Sequence, residues 1–159
     1  MKIKIICLGK LKEKYLKDGI AEYTKRISRF ATVEIIELQD EKIPDNASDA
    51  ECEKIKATEG KKILSKIKND EYIYSLCVEG TQLCSGDFAK DMAKAALSGF
   101  NTITFIIGGS LGLSNEVKNI SHKKLSFSLM TFPHQLMRLI LTEQIYRCFK
   151  INANEQYHK

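Results

Sequence analysis

The stretch TITFIIGGSLGLS, from Thr102 to Ser114, constrains the fold more than any other part of the chain. Its first half is a short apolar run with β-branched residues, which is typical of a buried strand in a parallel sheet. Three glycines follow, at positions 108, 109 and 112, and they allow the backbone to turn sharply and to approach a ligand closely. Ligands of open α/β sheets bind beyond the carboxyl ends of the strands. The sequence therefore predicts a small-molecule site at this strand end.

Strand and helix patterns alternate along the whole chain. The predicted strands are Lys2–Leu8, Ala31–Leu38, Glu71–Val78, Thr102–Ile107 and Lys124–Ser128. The predicted helices are Glu13–Phe30, a helix opened by the capping box Ser48 to Glu51 and ending near Lys68, a helix from Ser85 to Gly99, a short helix from Ser114, and a long one from Pro133 to about Phe149. Such repeated units predict an α/β fold with a mostly parallel sheet flanked by helices on both faces. Because no linker or repeat interrupts the pattern, we expect one domain over residues 1–159.

Composition and charge narrow the class of protein. The chain is 43% hydrophobic and 28% charged, which is ordinary for a globular protein. Arg138 interrupts the most apolar segment, near the C-terminus, so we expect no membrane span. The lysine-rich start is too short for a secretory signal, which predicts a cytoplasmic location. Five scattered cysteines form no CxxC pair and no two histidines have zinc-site spacing, so we expect no metal. Six lysines fall within the first 17 residues, at 2, 4, 10, 12, 14 and 17, and they indicate either an RNA partner or a solvated face.

The last predicted helix is apolar over more than one side. Its apolar residues are Leu136, Met137, Leu139, Ile140, Leu141, Ile145, Tyr146 and Phe149. A surface helix needs an apolar stripe of only about 100°. The wider belt predicts burial on two sides, either by the sheet and a second subunit or by other elements of the same chain.

The glycine stretch partly matches two known sequence motifs. Residues 108–112 match G-x-S-x-G, which would make Ser110 the nucleophile of a small esterase. The helix-start signal comes only at Ser114, however, and no aspartate follows Ser110, so a Ser-Asp-His order is excluded. The dinucleotide fingerprint fails because Ser110 and Leu113 replace its second and third glycines. The esterase remains the weakest alternative.

Three segments together resemble a known family: IIGGSLGLS, then LSFSLMTFPHQLMRLILTEQIYRCFKI, then the terminal YHK. They resemble the ribosomal RNA large subunit methyltransferase H family of the SPOUT class, whose fold is an α/β trefoil knot, and the likeness extends over the whole chain. It implies an S-adenosylmethionine-dependent enzyme that methylates N3 of pseudouridine 1915 in 23S rRNA on assembled ribosomes. It also implies a homodimer joined through the knotted C-terminal halves. The alternative within the same fold is a non-enzymatic dimer that binds ribosomes.

The resemblance also implies site residues. The implied cofactor contacts are Leu76, Gly108, Phe127, Ser128, Leu129, Met130, Thr131 and Phe132. They stand at the ends of the third, fourth and fifth predicted strands, which meet at one edge of a parallel sheet. For catalysis we predict Tyr157 and His158, with His158 the better base by the ordinary pKa of histidine. Arg138 is predicted to contact the RNA or steady an anion, or else to form an ion pair with Glu143 or bind a carbonyl. The proline usual before the family's Tyr-His pair is replaced by Gln156, which leaves the tail less restricted.

Overall fold

A computed structural model describes residues 1–157 and contains a five-stranded sheet. The strands are β1 (Lys2–Leu8), β2 (Thr32–Leu38), β3 (Glu71–Gln82), β4 (Thr102–Ile107) and β5 (Lys123–Ser126), and the helices are α1 (Lys14–Ile27), α2 (Asp49–Leu64), α3 (Ser85–Leu97), α4 (Asn115–Ile120) and α5 (His134–Asn152). The strand order is β2-β1-β4-β3-β5, and every neighbouring pair is parallel. This confirms the predicted α/β fold with a parallel sheet.

Each face of the sheet packs against its own set of helices. On one face, Ile3, Ile5 and Cys7 of β1 join a core with buried residues of α1, α3 and α5. On the other face, Ile6 and Leu8 join a smaller core with residues of α2 and α4. The alternation along β1 is the period-2 pattern of a strand that is covered on both sides. It confirms the prediction that helices cover both faces.

The predicted elements are confirmed, and the differences lie at their ends. β3 extends to Gln82 instead of Val78, because it resumes pairing with β5 after a register shift between Leu76 and Thr81. β5 ends at Ser126, two residues early. Beyond that point local turns replace the ladder, since Ser126 Oγ donates to the Ser128 carbonyl at 3.0 Å.

The helix caps follow the predicted chemistry with one exception. Ser48 and Glu51 form the predicted capping box at the start of α2. α3 differs, because its N-cap is Cys84, whose sulfur accepts from the Asp87 N–H at 3.4 Å, and not a serine. Gly99 follows the end of α3 with φ +91°, as expected for a helix-ending glycine.

The long helix α5 packs against both α1 and α3 of its own chain. Leu141 and Ile145 are fully buried there, and the Leu139 side chain lies over Gly19 of α1. Packing within one chain therefore accounts for much of the apolar belt, while Leu136, Leu139 and Ile140 are only half-buried. The trefoil knot and the assignment of residues 1–159 to one domain are compatible with this sheet, and both stay predictions. No helix within residues 1–157 has the length and apolar character needed to cross a membrane.

Candidate active site

A crevice of about 320 Å³ opens at the carboxyl ends of β4 and β5 and beside the part of β3 where its pairing with β4 stops, at Leu76. Its walls come from four segments: residues 76–79, residues 107–113 with Lys118, residues 125–128 with 130–132, and His134 with Met137 of α5. Both its size and its place beyond the strand ends are typical of small-ligand sites. The predicted ligand site beside the glycines is therefore a real cavity.

The glycine loop forms the floor of this crevice and folds back on itself. Gly112 donates to the Gly109 carbonyl at 3.0 Å and has φ +81°, a conformation that favours glycine. A Cβ at Gly108 would lie 2.9 Å from the carbonyl carbon of Gly112, so this position has no room for a side chain. The backbone geometry of the loop therefore requires glycine at positions 108 and 112, and both residues line the crevice.

The segment after β5 forms the opposite wall. Phe127 packs edge-on against Phe88, with ring centroids 6.4 Å apart, and the Met130 N–H donates to Ser128 Oγ at 3.0 Å. Of the predicted cofactor contacts, Leu76, Gly108, Phe127, Ser128, Met130, Thr131 and Phe132 line the crevice. Leu129 is not among the lining residues, and it is 78% exposed. The structure thus brings together residues from β3 and from the segments that follow β4 and β5, and their role in cofactor binding stays a prediction.

Several lining residues were not predicted from the sequence. Cys77 and Val78 lie at the end of the predicted third strand, Glu79 lies just beyond it, and Lys118 comes from α4. Glu79 and Lys118 form an ion pair, and the hydrogen bond from Lys118 lowers the pKa of the Glu79 carboxyl. Burial raises the pKa of the Cys77 thiol. The sequence carries no signal for the pair, because its members are distant along the chain.

Glu59 lies behind the glycine loop and is almost fully buried, at 4% exposure. Its carboxylate accepts from the Glu41 N–H at 2.9 Å, and a Cβ added at Gly109 would lie 3.4 Å from one of its oxygens. Burial raises the pKa of this carboxyl, and the nearby carboxylates of Asp40 and Glu41 raise it further. Glu59 therefore connects the loop after β2 with the glycine loop after β4.

Arg138 is fully buried in α5, with 0% exposure. Its guanidinium forms an ion pair with Glu37 at the end of β2 and donates to the Gly9 carbonyl at 3.1 Å. The predicted alternative partner Glu143 instead accepts from Arg147 at 2.6 Å. The two contacts of Arg138 join α5 to the ends of β1 and β2. The contact with the Gly9 carbonyl agrees with the predicted alternative in which Arg138 binds a carbonyl.

Of the predicted tail residues, Tyr157 is described and His158 lies outside the described residues. Tyr157 packs edge-on against Tyr146 of α5 at 4.9 Å, and its hydroxyl donates to Glu143 at 3.0 Å. Burial, followed by hydrogen bonding with Tyr23 and Glu143, raises the pKa of Tyr157 well above its usual value. The ring does not line the crevice of its own chain. The catalytic roles of Tyr157, His158 and Arg138 stay predictions.

The structure does not support the esterase alternative. Ser110 is exposed on the crevice wall, and within residues 1–157 no hydrogen bond joins its hydroxyl to a histidine or a carboxylate. A serine nucleophile needs an adjacent base that is itself oriented by a third group. The crevice lacks that arrangement in the described part of the chain.

Comparison with known proteins defines the class. The family model of predicted SPOUT methyltransferases matches residues 1–158, which places the chain among methyltransferases of that class. Over all 159 residues, covering 100% of both chains, it is 58% identical to the ribosomal RNA large subunit methyltransferase H of Streptococcus uberis and to that of Streptococcus thermophilus. The counterpart from Streptococcus pneumoniae is 57% identical over the same span. The chain belongs to the ribosomal RNA large subunit methyltransferase H family, as the sequence resemblance predicted.

Solved structures support the fold alone. A probable methylase family protein from Haemophilus influenzae matches with a TM-score of 0.51 and 11% identity, over 99% of this chain and 70% of that one. A probable methyltransferase from Bordetella pertussis matches with a TM-score of 0.52 and 10% identity, over 92% of this chain and 95% of that one. At such low identity the shared feature is the architecture of sheet and helices.

Proposed function

We propose that this chain is an S-adenosylmethionine-dependent methyltransferase that modifies N3 of pseudouridine 1915 in 23S rRNA on assembled ribosomes. The observation that carries the proposal is the crevice, where residues of β3 and of the segments after β4 and β5 meet around a glycine loop. The names of the relatives at 57–58% identity support ribosomal RNA of the large subunit as the substrate. Ribosomes as the substrate also agree with the expected cytoplasmic location.

The crevice fits the cofactor in shape and chemistry. Gly108 and Gly109 present backbone with no side chain in the way, while Leu76, Phe127 and Phe132 supply apolar surface. An adenosyl group needs apolar walls for its ring and main-chain groups for its polar edge. We therefore infer that these residues hold S-adenosylmethionine, which supplies an activated methyl group when bound. Met130 and Thr131 would complete the wall on the side of the β5 loop.

The substrate nitrogen needs help because a neutral imide is a poor nucleophile. A base within hydrogen-bond reach would remove its proton, and firm positioning would hold it in line with the methyl group. Tyrosine is protonated at neutral pH, and burial raises the pKa of Tyr157 further, so this residue suits hydrogen-bond donation better than proton removal. We infer that His158, which lies outside the described residues, acts as the base, because the ordinary pKa of histidine is near neutral.

The alternative with the same fold is a ribosome-binding dimer without activity. Calorimetry with S-adenosylmethionine separates the two, since a protein that only binds ribosomes has no need of the cofactor. We expect one binding site per chain. The open, glycine-floored crevice favours the enzyme, because a scaffold protein gains nothing from keeping it open.

The proposal is tested by mass spectrometry of 23S rRNA nucleosides from a strain lacking the gene. We expect 3-methylpseudouridine to disappear and to return when the intact gene is supplied. A gene without the codons for residues 157–159 should fail to restore it, although the purified truncated protein still binds S-adenosylmethionine. Persistence of the modified nucleoside in the deletion strain would rule out the proposed activity.

A further inference from the structure

A second cavity, of about 500 Å³, lies beside the crevice at the same edge of the sheet. It is lined by Gly9, Lys10, Lys12, Gln39, Asp40, His134 and Gln135, and we call it the lysine cavity. Gly9 follows β1, and Gln39 and Asp40 follow β2, so the cavity extends the row of strand ends that forms the crevice. His134 lines both cavities and joins them. A ligand in one is therefore next to a ligand in the other.

The loop that carries the two lysines is held firmly by its backbone. The Lys12 N–H donates to Gln135 Oε1 and the Leu11 N–H to Glu37 Oε1, both at 3.1 Å. The Gly9 N–H donates to the Leu38 carbonyl at 2.9 Å, and the Gly9 carbonyl accepts from the buried Arg138. The main chain is thus fixed, while the side chains of Lys10 and Lys12 are exposed.

Close packing at Gly9 shapes the floor of the lysine cavity. Gly9 has φ +76°, and a Cβ there would lie 3.3 Å from His134 Nε2 and 3.8 Å from Asp40 Oδ2. Only glycine meets both demands without strain, since side chains are disfavoured at this φ and space is short. The backbone therefore approaches the histidine and the carboxylate closely and leaves the cavity open above them.

The N-terminal lysines divide into two groups by their surroundings. Lys2 pairs with Glu34 at 2.7 Å, Lys14 pairs with Asp18 at 2.6 Å, and Lys4 is buried against Glu71. Within residues 1–157 no ion pair involves Lys10, Lys12 or Lys17, and of these three only Lys10 and Lys12 line the cavity. Unpaired ammonium groups on a fixed loop suit a phosphate, which lysine binds as a point charge.

We propose that the lysine cavity binds one nucleotide of the substrate RNA, next to the nucleotide whose base meets the cofactor at the mouth of the crevice. Lys10 and Lys12 contact its phosphate. Gln39, Asp40 and Gln135 supply the amide and carboxylate groups that read a base edge by hydrogen bonds. This proposal rests on the proposed function and adds to it the place where the RNA strand leaves the reaction centre.

The test is a comparison of two doubly substituted proteins that lose the same charge. The first is Lys10→Gln with Lys12→Gln. The control is Lys25→Gln with Lys94→Gln, exposed lysines in the last turns of α1 and α3, at the opposite edge of the sheet. Binding to ribosomes from the deletion strain is measured by co-sedimentation at several salt concentrations, and S-adenosylmethionine affinity is measured by calorimetry.

We expect the first protein to bind ribosomes at least about tenfold more weakly than the wild type, with a salt dependence lower by about one to two ions. The control protein should stay within about threefold, and cofactor affinity should be unchanged in both. Equal ribosome binding and equal salt dependence of the two variants would overturn the proposal. Co-sedimentation measures ribosome binding and requires no methyl transfer. A wild type that binds ribosomes but transfers no methyl group would therefore count against the proposed function and not against the proposed RNA contact.

Discussion

At the scale of single residues, Arg138 shows how a charged side chain can serve a site without touching it. Its guanidinium is fully buried and bridges Glu37 and the Gly9 carbonyl. Glu37 also accepts from the Leu11 N–H, so the ion pair of Arg138 and Glu37 contacts the Gly9–Lys12 loop at both Gly9 and Leu11. We infer that Arg138 is a positioning residue for this loop. The sequence identified the residue as important, whereas only its surroundings indicate what it does.

The substitution Arg138→Lys tests this inference. Lysine keeps the charge but cannot bridge both acceptors in a fixed fork, so one charge-assisted hydrogen bond worth about 1.5–3 kcal/mol is lost. We expect the melting temperature to fall by roughly 3–10 °C and the KM for ribosomes to rise. The kcat at saturating ribosomes and the S-adenosylmethionine affinity should stay within about twofold. A large fall in kcat with unchanged KM would instead support the direct catalytic role predicted from the sequence.

At the scale of elements, α2 connects two loops of the site that are far apart along the chain. Its Glu59 accepts from the Glu41 N–H in the loop after β2 and packs behind Gly109 in the loop after β4. The helix start is fixed by the capping box of Ser48 and Glu51. Because the Glu59 carboxylate is buried, the stability of this connection depends on whether Glu59 is protonated.

The pH dependence of stability tests this connection. Burial raises the pKa of Glu59 above its ordinary value of 4.5, so the folded chain holds this proton more tightly than the unfolded chain. The contribution of Glu59 to stability is therefore present below pH 4.5 and is lost as pH rises through the folded pKa. Since glutamine cannot ionise and can still accept from the Glu41 N–H, Glu59→Gln should gain melting temperature relative to the wild type between pH 4 and pH 8.

Glu51→Gln in the same helix is the control, because the pKa of Glu51 is shifted in the opposite direction from that of Glu59. Hydrogen bonds from Ser48 lower the pKa of Glu51, so its contribution is present above the ordinary value and disappears as pH falls. Calorimetric scans at pH 4, 6 and 8 measure both variants. A difference between Glu59→Gln and the wild type that stays constant over this range would show that Glu59 does not titrate as its surroundings indicate.

At the scale of the whole molecule, the proposed homodimer depends on surfaces that one chain leaves open. Packing of α5 against α1 and α3 explains much of the apolar belt that suggested a second subunit. Leu129 and Met130 remain 78% and 73% exposed beside the crevice, in the C-terminal half that the family resemblance assigns to the interface. We propose that these two residues contact the partner chain. This would also explain why Leu129 does not line its own crevice.

Sedimentation equilibrium of two charged variants tests the interface. Leu129→Lys with Met130→Lys removes apolar area that a symmetric dimer would bury twice, at about 1.5–3 kcal/mol for each side chain. We expect the dissociation constant of the dimer to rise at least tenfold. Leu97→Lys is the control, because Leu97 is 88% exposed at the end of α3 and lies at the opposite edge of the sheet. Equal dimerisation of all three proteins would exclude residues 129 and 130 from the interface.

The sequence by itself determined the succession of strands and helices along the chain and the place of the crevice after the fourth strand. Apolar runs such as residues 102–107 and the glycines after them act locally, so their pattern predicts a strand and a turn without knowledge of the rest. The family resemblance added the predicted cofactor contacts, and all of them except Leu129 line the crevice. These signals could be read because each depends on neighbours along the chain.

Tertiary structure alone decided which charges are paired and which face a cavity. Nothing in the spacing of the lysines shows that Lys4 is buried against Glu71 while Lys10 and Lys12 line the cavity beside the crevice. The same holds for Arg138 with Glu37 and for Glu59 behind Gly109. Such contacts join residues dozens of positions apart, and the free energy of a buried charge depends on partners that only the folded chain brings within reach.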